Sequence, residues 1–178
     1  MAQISLFFVS QDGQTEKIAR TLSNHLENAD QQVRLVDLHQ GKISAQDIEA
    51  AELVIVLAAI RYGHHLKPAD LFLKAHGDIL CKKKLALLSV NLTARKLHKR
   101  TIEHSIYLQK WVKRHAFSPV LVRAIAGKLD YPSYGWFDRF MIQLIMRITK
   151  GPTDPSLTIE FTDWDQVKEL AGELVELV

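Results

Sequence analysis

Cysteine is nearly absent from this 178-residue chain. Cys81 stands alone, so no internal disulfide can form; a reducing compartment fits, and the fold must rest on its core. Proline and glycine are sparse, at 5 and 8 residues, and no low-complexity linker or repeat divides the chain. A single domain over 1–178 is therefore expected. No uninterrupted run of 18 apolar residues occurs, which argues against a membrane-spanning helix. The start, MAQISLFFVSQDG, lacks the basic region of a signal peptide. Nucleotide-binding and hydrolase motifs are missing as well. There is no Gly-x-x-x-x-Gly-Lys-Ser/Thr loop, no Gly-x-Gly-x-x-Gly fingerprint around Gly13, and no Gly-x-Ser-x-Gly elbow. The eight histidines, His64-His65 included, never take a metal-ligand spacing, so no metal is expected. Acidic residues are scarce in one sector: from Lys82 to Lys150 there are 15 Lys/Arg against 3 Asp/Glu, a local charge of +12 within a total of +3. The Arg95–Arg100 cluster has no recognition motif or interleaved aromatics beside it, so nucleic acid is not the expected partner. An anionic membrane or an acidic substrate suits such a sector.

What the chain does contain is an alternation of apolar runs and helical patterns. ISLFFV (4–9), VRLVDL (33–38), LVIVLAAI (53–60), LALLSV (85–90) and VLVRAIAG (120–127) read as strands. Helices are expected over Thr15–Asn28 and near 45–50, 68–80, 98–115 and 163–177, the last capped by Asp163. This order predicts an α/β fold, a doubly wound parallel sheet of five strands with helices on both faces. In such sheets a ligand sits beyond the carboxyl ends of the strands.

Three strand ends carry ligand-like residues. After the first strand, Ser10-Gln11-Asp12-Gly13-Gln14-Thr15 offers two hydroxyls, successive backbone N–H groups and a helix N-terminus, a site for one terminal phosphate. A plain turn followed by a cap is the competing reading of this loop alone. After the third strand comes Ile60-Arg61-Tyr62-Gly63, where Tyr62 could stack on a planar ring and Gly63 could let backbone approach it. After the fourth comes Ser89-Val90-Asn91-Leu92. A phosphorylation switch on the same topology would need an acceptor Asp after the third strand, where Ala58-Ala59-Ile60 stands instead.

SQDGQT resembles the phosphate loop of flavodoxins, with Asp12 in place of the middle Thr. Taken together with IRYGHH, SVNLTARK, AGKLDYPSYGWFDRFMIQLIMRITKG and TDWDQV, it resembles the flavodoxin-like, menaquinone-dependent protoporphyrinogen IX dehydrogenase family of bacterial heme biosynthesis, over essentially the whole chain. The resemblance implies FMN, held by residues 10–15, 60–63 and 89–92. It implies oxidation of protoporphyrinogen IX with a membrane quinone, menaquinone or ubiquinone, as acceptor, by a protein peripheral to the cytoplasmic face of the bacterial inner membrane. A flavodoxin-type electron carrier or a flavin-dependent quinone reductase is the alternative. No general base stands out; Tyr62 and His64 are the candidates. A carboxylate aimed at a phosphate would repel it, so Asp12 is expected to offer its backbone N–H and turn its side chain outward.

The stretch from about 128 to 156 is surplus to a five-stranded flavodoxin core and reads as an insertion after or within strand five. Its helix places Phe137, Phe140, Met141, Leu144, Ile145 and Ile148 on a broad apolar face beside Trp136, which Ile142 and Met146 extend. Arg139, Gln143 and Arg147 form a narrow polar stripe. Thirteen residues reach about 20 Å, too short to span a bilayer. An interfacial membrane helix, a wall around an apolar ligand and a buried core helix are the open readings.

Overall fold

The computed structural model describes residues 1–40 and 43–178. Five parallel strands, β1 (Gln3–Val9), β2 (Gln32–Asp37), β3 (Leu53–Arg61), β5 (Lys84–Asn91) and β6 (Leu121–Ala126), form a sheet in the order β2-β1-β3-β5-β6. This is the doubly wound order, with the switch between β1 and β3. The two-residue β4 (His64–His65) folds back antiparallel on the end of β3. Among strands, β3 is the most continuously apolar because both faces are covered, as a central parallel strand requires.

Alternate residues of the strands feed two cores. Ile4, Leu6 and Phe8 of β1 pack with Ile18, Leu22 and Leu26 of α1 (Gln14–Glu27) and Val167, Leu170 and Leu174 of α7 (Trp164–Val175). Phe7 and Val9 face the other way, toward Ile48 of α2 (Ala45–Glu49), Phe72 and Leu73 of α3 (Lys67–Ala75), Leu80 of α4 (Gly77–Leu80) and Trp111 of α5 (Ile106–His115). As expected, Asp163 caps α7, its side chain accepting from the Gln166 N–H. Two expected helices change. The 68–80 helix breaks at His76 into α3 and α4. The 98–115 helix begins only at Ile106. The Asn91 carboxamide instead captures the Ala94 N–H and starts a short 3-10 turn, 92–95, and a second follows at 97–99. A side chain that satisfies the backbone locally competes with helix continuation.

After β6 the chain leaves the sheet. β7 (Lys128–Asp130) pairs antiparallel with β8 (Thr158–Glu160), and between them runs α6 (Trp136–Ile148). A third, smaller core of Leu129, Tyr131, Tyr134, Ile142 and Met146 joins α6 to this ribbon. The core-helix reading of 136–148 is overturned: Ile142 and Met146 are its buried residues, whereas Trp136, Phe137, Phe140, Leu144 and Ile148 are exposed. The stripe is also corrected. Arg139 and Gln143 turn inward and donate to the backbone carbonyls of Tyr131, Tyr134 and Thr153; Arg147 stays exposed. Irregular backbone beside a docked helix needs donors, and the stripe supplies them.

Candidate functional site

The loops at the carboxyl ends of β1, β3, β5 and β6 converge on one cleft of about 950 Å³, open space at its mouth included. Ser10, Gln11, Asp12, Gln14 and Thr15 line it from the first loop, Ile60, Arg61, Tyr62 and Gly63 from the second, and Val90, Asn91 and Leu92 from the third. The sequence pattern missed Ala59, Thr93, Tyr107, Gly127, Lys128, Asp130 and Tyr134, which complete the lining with Ile142 and Ile145 of α6. Of the six residues assigned to the apolar face of α6, Ile145 reaches the cleft.

The first loop is built to receive an anion. Gly13 takes a left-handed φ of 82° at the N-cap of α1, a conformation glycine adopts without steric cost. No side chain caps this helix, so the first-turn amides stay available to a ligand. The Ser10 hydroxyl accepts from the Gly13 N–H at 3.1 Å and shapes the turn. Thr15 is buried and lines the cleft. Gln14 is braced from below, its amide donating to the Thr162 hydroxyl at 2.9 Å. Hydroxyls, amides and a helix N-terminus without a lysine fit a single terminal phosphate.

Asp12 does not simply point into solvent. Its carboxylate lies 2.7 Å from Arg61, whose second terminal nitrogen lies 2.8 Å from Asp138 in the first turn of α6. One guanidinium thus bridges three segments. The Tyr134 and Tyr62 rings flank it, 5.2 and 5.8 Å away.

Tyr62 and Gly63 both have positive φ, 49° and 81°, the two central residues of a tight hairpin between β3 and β4. The non-glycine left-handed residue sets Tyr62 at the mouth of the cleft, edge-on to Phe137 at 6.3 Å, and Phe137 in turn meets Trp136 at 5.8 Å.

Three expected site residues lie outside the lining: Gly13, which shapes the first loop, and Ser89 and His64. Ser89 is fully buried and outside the lining; its hydroxyl holds His65 at 2.9 Å and accepts from the Asn91 carboxamide at 3.2 Å. His64 is exposed and does not line the cleft, so it is no proton-handling group there. The partner in the pair, His65, is the ordered one, stacked on Trp111 at 3.8 Å. Burial holds its imidazole neutral, with a pKa lowered to about 3. The chain His65–Ser89–Asn91–Thr93 therefore sets the third loop from below.

On the far side, Lys128 and Asp130 form a 2.7 Å pair in the lining. The hydrogen bonds from Lys128 and Thr158 hold the Asp130 carboxyl below its ordinary range, and Asp130 raises the Lys128 ammonium. Burial pushes the Tyr134 phenol up, which keeps it a neutral donor and acceptor. Among the described residues no His/Cys/Asp/Glu group could hold a metal ion.

Comparison with known proteins agrees with this geometry. A family model described as a flavodoxin domain matches residues 5–156. The chain is 38% identical over 172 residues to "Protoporphyrinogen IX dehydrogenase [quinone]" of Escherichia coli K12, covering 97% of this chain and 94% of that protein. A protein of the same name from Leishmania major is 37% identical over 97% of this chain and 74% of its own. Among solved structures, oxidised flavodoxin 1 from Bacillus cereus superposes with a TM-score of 0.60 at 15% identity, covering 99% of each chain. A flavodoxin from the domain Archaea gives 0.54 at 15% identity, covering 98% of this chain and 96% of that one.

Proposed function

The chain belongs to the flavodoxin-domain family and, within it, to the quinone-dependent protoporphyrinogen IX dehydrogenases, and on that premise we propose that it oxidises protoporphyrinogen IX with FMN as cofactor and a membrane quinone as acceptor, in heme biosynthesis. It is an enzyme, and the flavodoxin fold points to a flavin. The observation that carries the reading is the cleft itself. An anion-binding loop, an aromatic hairpin and a polar strand end converge at the switch point, and an amphipathic helix walls the open side.

The flavin would supply the two-electron chemistry, and removal of six hydrogens from the porphyrinogen would consume three quinones. The protein binds, orients and excludes. Ser10, Thr15 and the α1 amides would hold the phosphate. The 60–63 and 90–93 loops would edge the ring, with Tyr62 at its exposed border. Asn91 is preset by the Ser89–His65 chain, so little ordering remains to be done on binding. Ile142 and Ile145 make one wall apolar and restrict water.

Membrane contact belongs to the same proposal. Eleven large apolar side chains are exposed among the described residues. Eight of them (Tyr62, Leu97, Ile106, Trp136, Phe137, Phe140, Leu144 and Ile148) sit on segments at the cleft end of the sheet. No described helix is long and apolar enough to cross a membrane. An apolar rim interspersed with Lys96, Lys99, Arg147 and Lys150 suits an interfacial position on an anionic bilayer. We place it at the cytoplasmic face of a bacterial inner membrane, where a quinone dissolved in lipid reaches the cleft directly. This rim also separates the reading from a soluble electron carrier, which has no use for it.

The deciding experiment is purification of the chain, its absorption spectrum, and anaerobic turnover of protoporphyrinogen IX with menaquinone in anionic vesicles, followed by porphyrin fluorescence. Bound FMN with quinone-dependent porphyrin formation is expected. A protein that neither retains nor takes up flavin overturns the cofactor assignment. Quinone reduction from a nicotinamide donor without porphyrinogen oxidation would instead make it a quinone reductase.

A further inference from the structure

α6 is held over the cleft by a small footprint. Its buried residues are Ile142 and Met146, and the rest of its anchorage is polar. At its carboxyl end Arg95 donates to the Thr149 carbonyl and hydroxyl at 3.0 and 3.1 Å. At its amino end Arg139 reaches the Tyr131 and Tyr134 carbonyls, and Asp138 pairs with Arg61 across the cleft. Arg61 has a second engagement of a different kind. Its other terminal nitrogen pairs with Asp12, a carboxylate inside the very loop whose amides and hydroxyls are arranged for an anion.

We propose that Arg61 is a positioning residue that couples phosphate binding to the docking of α6. Its guanidinium cancels the Asp12 charge that would oppose a phosphate, and the same group latches the first turn of α6 across the cleft. The phosphate half rests on the reading of residues 10–15 as a flavin-phosphate site. The latch half rests on geometry alone.

Several features make arginine specific for this task. The two carboxylates approach different terminal nitrogens, which the planar fork offers and a point-charge ammonium does not. Arg61 is 18% exposed, less than Asp12 or Asp138, so the pairs are shielded from solvent on the arginine side. The Tyr134 and Tyr62 rings lie close to the guanidinium and limit its freedom. Because Asp138 lies in the first turn of α6, the helix dipole favours its carboxylate there, and the latch closes on a preset anion. By linkage, a ligand that needs Asp12 neutralised must also favour the closed helix.

The test compares wild type with Arg61→Gln, Arg61→Lys, Asp138→Asn and the double variant Asp12→Asn/Arg61→Gln, each first checked for its fold by circular dichroism. Two quantities are read. One is the ratio of FMN to riboflavin affinity from fluorescence titration. The other is hydrogen exchange of residues 136–148, measured with and without flavin. Arg61→Gln should weaken FMN about tenfold or more while riboflavin changes by less than about threefold, as a coupling of ordinary size requires. Adding Asp12→Asn should restore most of the FMN preference without slowing exchange in α6. Asp138→Asn should speed that exchange and, because the coupling is reciprocal, weaken the FMN preference in part; an intact preference overturns the coupling. Arg61→Lys should keep part of the preference and lose the latch. An unchanged FMN-to-riboflavin ratio in Arg61→Gln, or a loss that Asp12→Asn does not repair, overturns the charge-cancelling role. Unchanged exchange in both Arg61→Gln and Asp138→Asn overturns the latch. If wild type takes up neither flavin, the cofactor reading and the phosphate half fall together, and exchange in the flavin-free proteins still decides the latch.

Discussion

Leu144→Asp and Met146→Ala, two residues apart on α6, should behave as opposites. Leu144 is 44% exposed, whereas Met146 is fully buried in the small core with Leu129, Tyr131 and Tyr134. Full burial of a leucine contributes about 1.5–3 kcal/mol, so a half-exposed one forfeits about 1 kcal/mol, and the new carboxylate stays hydrated. Truncating a fully buried methionine costs about 2–5 kcal/mol. Alanine is the right probe at 146, because Arg95 lies 3.8 Å from the Met146 sulfur and would pair with an introduced carboxylate. For a chain of this size each kcal/mol moves Tm by about 2–4 °C. Leu144→Asp should therefore melt within a few degrees of wild type, and Met146→Ala about 5–15 °C lower. Thermal unfolding by circular dichroism, with hydrogen exchange of 136–148 beside it, measures the contrast. Vesicle co-sedimentation adds the functional arm: Leu144→Asp should lose binding to anionic liposomes and quinone-dependent turnover together while retaining flavin. Equal destabilisation by the two variants would mean that the broad face packs inward and that the docking described here is wrong. A Leu144→Asp protein with full stability, membrane binding and turnover would remove the membrane role of the helix.

Thr15→Ala should weaken FMN by about 1–3 kcal/mol, the cost of losing a hydrogen bond to a charged group; equal titration curves for wild type and variant would count against the phosphate site. Gly63→Ala tests the hairpin. A Cβ there would meet Tyr107 at an ordinary 3.8 Å, so the expected cost of about 1–2 kcal/mol is backbone strain at φ 81°, seen as a lower urea midpoint, and an unaltered midpoint would refute it. His65 makes stability acid-sensitive. Its folded pKa of about 3 lies below the unfolded value of 6.5, so below pH 6.5 the unfolded chain takes up a proton that the folded chain refuses. The contribution is complete above pH 6.5 and is lost as pH falls from there toward 3. Between pH 7 and 5 wild type should lose about 2 kcal/mol more than His65→Phe in urea unfolding, and parallel losses would show that His65 is not held neutral.

Much of this protein was legible from local pattern. Apolar runs of strand length, alternating with amphipathic stretches, are consequences of side-chain period and burial, and all five parallel strands lie where those runs lie. The site loops followed from position, since parallel strands deliver their carboxyl ends to one edge; twelve residues of the three expected loops line the cleft. Asp163 could be read as a cap because capping is decided within three residues.

What sequence could not decide was every choice between a residue's possible partners. Asp12 finds Arg61 from 49 residues away, and Asp138 finds it from 77, so both were invisible to spacing. Ser89 and His64 sat in the right segments but miss the cleft: Ser89 lies one pleat repeat below Asn91 on the same face, too deep to reach it, and of the adjacent histidines the pleat turns His65 inward and His64 out. Lys128, Asp130 and Tyr134 lie in a stretch whose sequence suggests no ligand chemistry, and they line the cleft because they follow directly on the carboxyl end of β6. On α6 the wheel showed a broad apolar face but not which arc would dock. Tertiary packing chose the arc of Ile142 and Met146, where Arg139 and Gln143 also reach loop carbonyls. A helix's periodicity follows from its own sequence, but its orientation is set by whatever must be satisfied on the surface it meets.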